Sequence, residues 1–473
     1  MITFSFALLL LVVGYFAYGA FIERLFAPDA SKTTPAILKT DGVDYVPMSG
    51  WRIFMIQFLN IAGLGPVFGA IMGAKFGMSS YLWIVLGTIF GGAVHDYLAG
   101  MISIRNDGCN LPEIHGKYLG NQMKQFSRFF AVLLMILVGA VFVAGPAELL
   151  GSLTPSFFNT TFWILIIFLY YFIATMLPID KIIGKIYPLF AFALIFMAVG
   201  ILVMIYIKFP ALPEITDGLA NTHPGGESMP IFPMMFISIA CGAISGFHAT
   251  QSPLMARCMT NEKQGRRIFY GAMIAEGIVA LIWAAAATYF FQKNGMGISN
   301  AAEIVNDITK DWLGTFGGLL AILGVIAAPI TSGDTALRSA RLMISDMFNF
   351  NQKPIKNRLL ISIPLFLVTA GILLYSLRDK EGFNIIWRYF AWANQTLAVM
   401  TLWAITVYLL KEKKCYWVTL LPALFMTSVV VTYILVAPEG FGLSYYLSLS
   451  IALSVVLLLL GLFFYKKIKN KVD

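Results

Sequence analysis

The sequence predicts an all-α polytopic membrane protein. Of its 473 residues, 59% are apolar and only 12% are charged, whereas soluble domains carry about 25% charged residues. Long apolar runs recur along the whole chain, and basic residues cluster between alternate runs. This composition excludes an ordinary soluble enzyme. No basic face survives in so apolar a chain, so we interpret the net charge of +9 as a topology signal and expect no nucleic-acid partner.

Apolar runs of about 20 residues predict about thirteen transmembrane helices. The first run is interpreted as a retained span, because Ile2–Phe21 lacks the basic start of a signal peptide and exceeds the usual length of its apolar region. The predicted spans lie at 2–23, 51–74, 81–104, 129–150, 160–177, 186–207, 231–256, 268–290, 312–337, 359–377, 386–410, 416–436 and 443–465.

The distribution of basic residues predicts the orientation of the chain. When the connections are assigned alternately to two sides, 26 of the 33 basic residues fall on one side and seven on the other. Cytoplasmic loops carry the excess of lysine and arginine. The N-terminus is therefore expected outside and the C-terminus in the cytoplasm, and the lipid bilayer is the expected surroundings of the protein.

Two predicted spans are interrupted near their centres by glycine, serine and proline. Glycine loosens a helix, and proline removes a backbone donor but suits the first turn of a new helix. Unwound backbone at membrane depth is tolerated only where it lines a cavity or is buried in protein. Two such breaks predict one central substrate site, although small residues at helix crossings are the alternative explanation. The interrupting residues are Gly63, Gly65 and Pro66 in the second span and Gly242, Ser245 and Gly246 in the seventh.

The breaks also recur in order, because each opens a set of five predicted spans. Five is odd, so the two sets enter the membrane from opposite sides, as in an inverted repeat whose broken helices hold the substrate. The predicted divisions are an extra helix with a cytoplasmic loop, the first five-helix repeat, an external loop, the second repeat, and two final helices with a basic tail. They lie at residues 1–50, 51–208, 209–230, 231–410 and 411–473.

Five motifs together resemble the carbon starvation protein A (CstA) family of bacterial inner-membrane transporters, in a short form. They are NIAGLGP at 60–66, GGAVHDY at 91–97, GAISGFH at 242–248, TSGDT at 331–335 and ANQTL at 393–397. The resemblance implies peptide or pyruvate uptake under nutrient limitation. It also implies a five-plus-five fold similar to the amino acid–polyamine–organocation superfamily. Two departures are His95, where long members have glutamine, and the GDT of the fourth motif, where they tend to carry two threonines.

Two embedded acids are candidates for proton handling. Asp96 lies in the third span, where an ionised carboxylate costs at least about 2.5 kcal/mol unless it faces a partner or a wet cavity. It is expected to be either a proton carrier or a structural hydrogen-bond acceptor. His95 is adjacent, but neighbouring helix positions point about 100° apart, so the two are not expected to share a ligand. Glu276, in the eighth span, is expected to pair with Arg266 or Arg267.

Substrate contacts are predicted from polar side chains near the breaks. His248 follows the seventh-span break and titrates in a useful range, so it can donate to a carboxylate, although a lone histidine is often a satisfied core residue. Gln251 and Ser245 can add hydrogen bonds, as can Asn60 from the second span and Asn394 from the eleventh. A substrate carboxylate would meet the positive ends of the two half-helices.

A polar group in the ninth span is a candidate cation site. Thr331, Ser332 and Asp334 offer hard oxygen ligands, and with backbone carbonyls of the second span they could bind sodium. Residues 331 and 334 share one face of a helix, so Thr331 and Asp334 are expected to face those carbonyls together, whereas Ser332 would need a local kink at Gly333. The resembled superfamily often binds sodium there, and in its proton-coupled members a lysine can replace the ion. Lys181 and Lys185 are the candidates for that role in this chain, although their position near the cytoplasmic end favours side chains that extend into water. The alternative is helix packing, because serine and threonine hydroxyls often bond the carbonyl one turn earlier.

These features predict an ion-coupled secondary transporter that imports a small carboxylate or a short peptide, with H⁺ or Na⁺ as the coupling ion, no cofactor and no enzymatic activity. The alternatives are a membrane-embedded enzyme and a nutrient sensor. The enzyme is disfavoured because HExxH is absent and the histidines do not form a metal triad. The four histidines are His95, His115, His223 and His248.

Overall fold

The computed structural model describes residues 1–42, 44–176, 183–297, 301–352, 354–378 and 382–472. Within these ranges the chain is helical and forms no strand; one isolated bridge joins Met48 to Met259. Helices satisfy every internal backbone donor and acceptor, which a segment in a bilayer requires. The chain is therefore an all-α polytopic membrane protein, as the sequence predicts.

Sixteen helices position the site. They are α1 Ile2–Phe26, α2 Gly50–Ile61, α3 Gly65–Ala74, α4 Met78–Arg105, α5 Leu111–Leu119, α6 Asn121–Leu153, α7 Thr160–Met176, α8 Ile183–Lys208, α9 Ala240–Ala243, α10 Gly246–Ala256, α11 Glu262–Asn294, α12 Ala301–Phe348, α13 Ile355–Arg378, α14 Gly382–Lys411, α15 Trp417–Val436 and α16 Tyr445–Val472. Shorter turns occupy Pro35–Leu38, Ile215–Asp217, Gly226–Ser228, Ile231–Met235 and Phe236–Ser238.

Across the described ranges, nine helices are long and apolar enough to cross a membrane, or ten when the bent pair α2 and α3 counts as one span. The other three predicted spans fall on elements of different character. Residues 160–177 overlap the shorter apolar helix α7, and 231–256 is divided among short helices. Residues 312–337 lie within α12, a helix of 48 residues that is interrupted at Gly314. The number thirteen and the five-plus-five repeat stay predictions.

The first break separates α2 from α3 by a bend of 52°. Residues 62–64 leave the helix after Ile61, and the new helix opens with a π-turn at Gly65–Gly69. Pro66 lies in its first turn, where its missing N–H leaves no intrahelical bond unmade. The sequence thus divides this span into two half-helices at the position that its glycines and proline predict.

The second break lies between α9 and α10, where Ile244 and Ser245 adopt extended backbone angles. The two breaks pack against each other. A Cβ atom added to Gly65 would overlap the side chain of Cys241, and one added to Gly242 would lie 3.7 Å from the Cα atom of Pro66. Glycine at position 65 lets the two interrupted helices cross at close distance, whereas an added Cβ at Gly242 would press on Ala280 of α11, 2.8 Å away.

Candidate functional site

Every residue predicted to bind substrate or ion is buried. The substrate set is Asn60, Gly63, Gly65, Pro66, Gly242, Ser245, Gly246, His248, Gln251 and Asn394, and the ion set is Asp96, Thr331, Ser332 and Asp334. They fall into three neighbouring groups. One surrounds Asp96 and His248, one contains the two half-helix breaks with Asn394, and one joins α2 to α12.

The first group is a chain of titratable side chains. Asp96 Oδ1 lies 2.8 Å from His95 Nδ1, and Asp96 Oδ2 lies 2.9 Å from His248 Nδ1. The His95 ring turns toward its neighbour's carboxylate, a contact that the 100° separation of adjacent helix positions did not predict; that the two residues share no ligand stays a prediction. Both oxygens of the buried acid therefore have hydrogen-bond partners, which reduces the cost of holding a carboxylate away from water.

Glu276 extends this chain. Its Oε2 atom lies 3.3 Å from His248 Nε2, and the side chains of both residues are fully buried. The expected pairing of Glu276 with Arg266 or Arg267 is wrong for Arg266, whose Nε atom lies 3.1 Å from Glu23. None of the lysines and arginines in the described ranges pairs with Glu276. Helix periodicity on α11 alone did not reveal that this acid faces the second break.

Local structure explains how α4 and α10 present these side chains. In α4 a π-turn at Gly87–Gly92 ends about one turn before His95 and Asp96; π-turns inside helices are frequent at functional sites. The hydroxyl of Thr88 donates to the carbonyl oxygen of Gly242 at 3.0 Å, which fixes α4 against the second break. His248 follows as the third residue of α10.

The second group is organised by Asn394 of α14. Its side-chain oxygen accepts hydrogen bonds from the Ser245 hydroxyl at 3.0 Å and from the backbone N–H of Phe247 at 2.7 Å. Its amide nitrogen lies 3.3 Å from Cys241 Sγ. Asn394 thus caps the N-terminus of α10 and holds α14 against it. The Asn394 side-chain oxygen therefore accepts from one of the backbone N–H groups at the start of α10. From the sequence, a substrate carboxylate was expected at this helix end.

The third group joins α12 to the first break. The Ser332 hydroxyl lies 3.1 Å from the carbonyl oxygen of Leu59 and 2.9 Å from that of Ala328. Gly63 lies against the same hydroxyl, since a Cβ there would be 3.2 Å from it. Thr335, which the sequence did not single out, contacts the side-chain oxygen of Asn60 at 3.4 Å.

This arrangement differs from the expected one. Thr331 was expected to face the second-span carbonyls with Asp334, but its hydroxyl bonds the carbonyls of Ala327 and Ala328 in its own helix. Ser332 reaches the break instead, although the helical backbone continues through Gly333. Asp334 is fully buried in the same helix. Lys181 lies outside the described residues, as does the Lys185 side chain.

Several buried amides near these groups have polar atoms that make no hydrogen bond to described residues. They are Gln57 at both side-chain atoms, Asn60 at Nδ2 and Gln251 at Oε1. The Gln251 amide nitrogen lies 2.9 Å from Thr250 Oγ1 and 3.4 Å from Ser339 Oγ. Unpartnered buried polar atoms are uncommon and indicate a bound water or ligand. In the described ranges no three His, Cys, Asp or Glu side chains converge as a metal site.

Comparison with protein families gives one match along most of the chain. A model described as carbon starvation protein CstA matches residues 1–156, 147–312 and 296–433. An uncharacterized membrane protein of Haemophilus influenzae is 43% identical over 340 residues, which cover 62% of this chain and 92% of that protein. The family model extends over both helix breaks and all three groups.

Two further relatives carry functional names. The peptide transporter CstA of Escherichia coli is 25% identical and covers 87% of this chain and 77% of its own length. The pyruvate/proton symporter BtsT of the same organism is 25% identical and covers 88% and 78%. A crystal structure of a mutant manganese transporter from Eremococcus coleocola is similar in fold, with a TM-score of 0.58 at 13% identity, over 91% of this chain and 98% of that one. The two named relatives and this fold neighbour are transport proteins.

Proposed function

This chain belongs to the carbon starvation protein CstA family, and we propose from this premise that it is a secondary active transporter. It imports a small carboxylate or a short peptide across the bacterial inner membrane, in coupling to an ion gradient, and serves uptake when nutrients are limiting. The observation that carries the proposal is the contact between two interrupted helices at a buried polar centre. Broken helices that meet inside a membrane protein are the usual place of a transported substrate.

The chemistry of the centre supports a small polar substrate. Asn60, Gln57 and Gln251 present side-chain amide atoms that lack partners among the described residues, and amides can bond a carboxylate or a peptide group equally. Both ring nitrogens of His248 face carboxylates, Asp96 at 2.9 Å and Glu276 at 3.3 Å, so the amides are the proposed substrate contacts. The named relatives, which transport peptides or pyruvate, favour these two substrate classes. We propose no enzymatic activity and no cofactor.

Protons are the proposed coupling ion. The chain of titratable groups around Asp96 supports this, as does the name of the pyruvate/proton symporter among the relatives. Sodium is the second candidate, because the Ser332 hydroxyl and the Leu59 carbonyl lie together beside the first break. The five-plus-five repeat, with residues 51–208 and 231–410 as its two halves, remains part of the proposal.

The test of the proposed function is uptake by the purified protein in proteoliposomes. Radiolabelled pyruvate and a radiolabelled dipeptide are the probes, with an inward proton gradient as the driving force. We expect accumulation of one probe above its equilibrium level and collapse of that accumulation by a protonophore. Chemical conversion of a probe without accumulation would favour a membrane enzyme. Specific binding without either would favour a sensor.

Proton coupling and sodium coupling make different predictions for Ser332→Ala. Under proton coupling, the hydroxyl bonds only a neutral carbonyl, so its loss should cost about 1 kcal/mol and lower proton-driven uptake no more than about fivefold. Wild-type uptake should not change when external sodium is replaced by choline. Initial rates in proteoliposomes measure both effects. Sodium-driven uptake that disappears in Ser332→Ala would contradict proton coupling and establish an oxygen site for sodium.

The proposed orientation has the N-terminus outside and the C-terminus in the cytoplasm, because 26 of 33 basic residues fall on the cytoplasmic side. Alkaline phosphatase inserted after Gly226 is expected to be active, since it would fold outside. The same insertion after Lys263 is expected to be inactive, and a fluorescent protein there should fluoresce. The reverse pattern at either position would overturn the predicted number of spans.

A further inference from the structure

Four titratable side chains form a buried row, in which the first two contacts are hydrogen bonds and the third is an ion-pair contact. The order is His95, Asp96, His248 and Glu276, with separations of 2.8, 2.9 and 3.3 Å between successive polar atoms. All four side chains are fully buried. They come from three elements, α4, α10 and α11, of which α10 begins at the second helix break.

Hydrogen-bond chemistry fixes where the protons lie around Asp96. An ionised carboxylate only accepts hydrogen bonds, and a neutral imidazole has one donor and one acceptor nitrogen. The Nδ1 atoms of His95 and His248 each face one oxygen of Asp96. Both Nδ1 atoms are therefore assigned a proton from this geometry. The acceptor nitrogen of neutral His248 is then Nε2, the atom that faces Glu276.

The contact between His248 and Glu276 requires one more proton. If Glu276 were ionised and His248 neutral, two acceptors on fully buried side chains would face each other at 3.3 Å. The four groups would then carry a net charge of about −2, and burial of unpaired charge is costly. One added proton, on either the imidazole or the carboxyl group, removes the repulsion between the two facing acceptors and lowers the net charge to about −1; at 3.3 Å the two atoms lie within ion-pair distance.

In the described ranges, no lysine or arginine balances the negative charge of Asp96 and Glu276. The titratable groups brought against Glu276 are His248 from α10, Asp96 from α4 and Cys241 from α9. Neither a lysine nor an arginine in the described ranges forms an ion pair with any member of the row. A proton is therefore the cation that this site selects.

We propose that His248 and Glu276 share one proton and that this pair is the proton-binding site of transport, with His95 and Asp96 as positioning residues. The inference rests on the proposed function and deepens it. It assigns the proton to a pair that includes Glu276, a residue that lies in none of the five sequence motifs. The step is a proton transfer alone: one proton binds from the outer water and one leaves to the cytoplasm.

The pair also links the proton to the moving part of the fold. His248 is the third residue of a half-helix that starts after the extended residues Ile244 and Ser245, whereas Glu276 lies within the continuous helix α11. A movement of α10 relative to α11 changes the separation of Nε2 and Oε2 and admits water. Water then solvates the separated charges, and the proton is released.

The first test is a proton titration of the purified full-length protein, which needs no substrate. Wild type and Glu276→Gln are compared between about pH 5 and pH 9, the range in which a transport proton must exchange. The amide of the variant can donate to His248 Nε2, so the fold should survive. Wild type should release about one proton more per molecule. Glu227→Gln, in an exposed loop, is the matched control and should match wild type. Equal curves for wild type and Glu276→Gln would overturn the proposal.

The second test separates coupling from substrate movement. In Glu276→Gln, counterflow of the transported probe should persist with a rate independent of pH, while proton-driven accumulation falls to the background. Glu276→Asp keeps the carboxyl group and should recover accumulation. Full accumulation by Glu276→Gln would overturn the site. If wild type transports neither pyruvate nor the dipeptide, the proposed function fails, and the titration still decides the proton site by itself.

Discussion

Leucine in place of Gly246 is expected to abolish uptake. A Cβ atom at this position would overlap the backbone oxygen of Asn394 and the backbone nitrogen of Ala398. Backbone atoms of α14 cannot rotate away as a side chain can, so the half-helix α10 must move instead. Such overpacking costs about 1–3 kcal/mol, occasionally more, and 1.4 kcal/mol already shifts a conformational equilibrium about tenfold. Uptake in proteoliposomes should fall below about one tenth of wild type.

Gly65→Leu should have a comparable effect for a different reason. Its Cβ would overlap Cys241, the residue of α9 that packs against Gly65 of α3 where the two interrupted helices cross. Here the obstacle is a side chain, so a size exchange is possible. Gly65→Ala should reduce uptake, and the double variant Gly65→Ala with Cys241→Gly should recover part of it. Cys241→Gly alone completes the double-mutant cycle. This single variant is needed because the substitution also removes the contacts of the thiol with Ser245 and Asn394, and the cycle subtracts that separate effect.

Gly461→Leu is the matched control for both breaks. This glycine lies in the membrane helix α16, and a Cβ there would meet nothing within 4 Å. We expect wild-type uptake and wild-type expression. Size-exclusion chromatography of each purified variant distinguishes loss of transport from loss of the fold. Wild-type uptake by Gly246→Leu or Gly65→Leu in a well-behaved protein would contradict the role of the breaks and reduce the glycines to packing residues.

Much of the fold was predictable because a bilayer leaves few alternatives. Apolar length and the requirement to satisfy the backbone dictate helices, and proline after glycine predicts where one of them restarts. The number of spans was less predictable. Hydropathy does not distinguish a helix such as α12, which runs from Ala301 to Phe348 with a single interruption, from a span with loops on either side.

For the candidate site, the sequence identified residues that the structure places close together, but it did not identify their partners. The motifs identify Asp96 and His248 as candidates, and the structure places them 2.9 Å apart. From the sequence, Glu276 was paired with Arg266 or Arg267 because these are the basic residues nearest to it along the chain. Which acid meets which base depends on how three helices rotate about their axes. That rotation is set by tertiary packing, which no single-helix pattern contains.

Asp96→Asn is expected to remove proton-driven accumulation at neutral pH. Asp96 accepts from His248 and, by its charge, stabilises the added proton on the pair of His248 and Glu276. A unit charge about 4 Å away contributes about 4 kcal/mol at an effective dielectric constant of about 20. Its removal should weaken proton binding about a thousandfold. The pH of half-maximal accumulation should therefore move about three units lower, as measured by uptake with a fixed proton gradient at a series of external pH values.

The pH series also separates a positioning role from a carrier role for Asp96. If Asp96 only positions and stabilises the pair, counterflow and accumulation in Asp96→Asn both fall at neutral pH and both return on acidification. If Asp96 itself carries the proton, counterflow persists at every pH and accumulation returns at none. Loss of both activities at all pH values, together with a lower melting temperature, would instead show that the buried carboxylate is needed for the fold, because two imidazole N–H groups would have lost a charged acceptor.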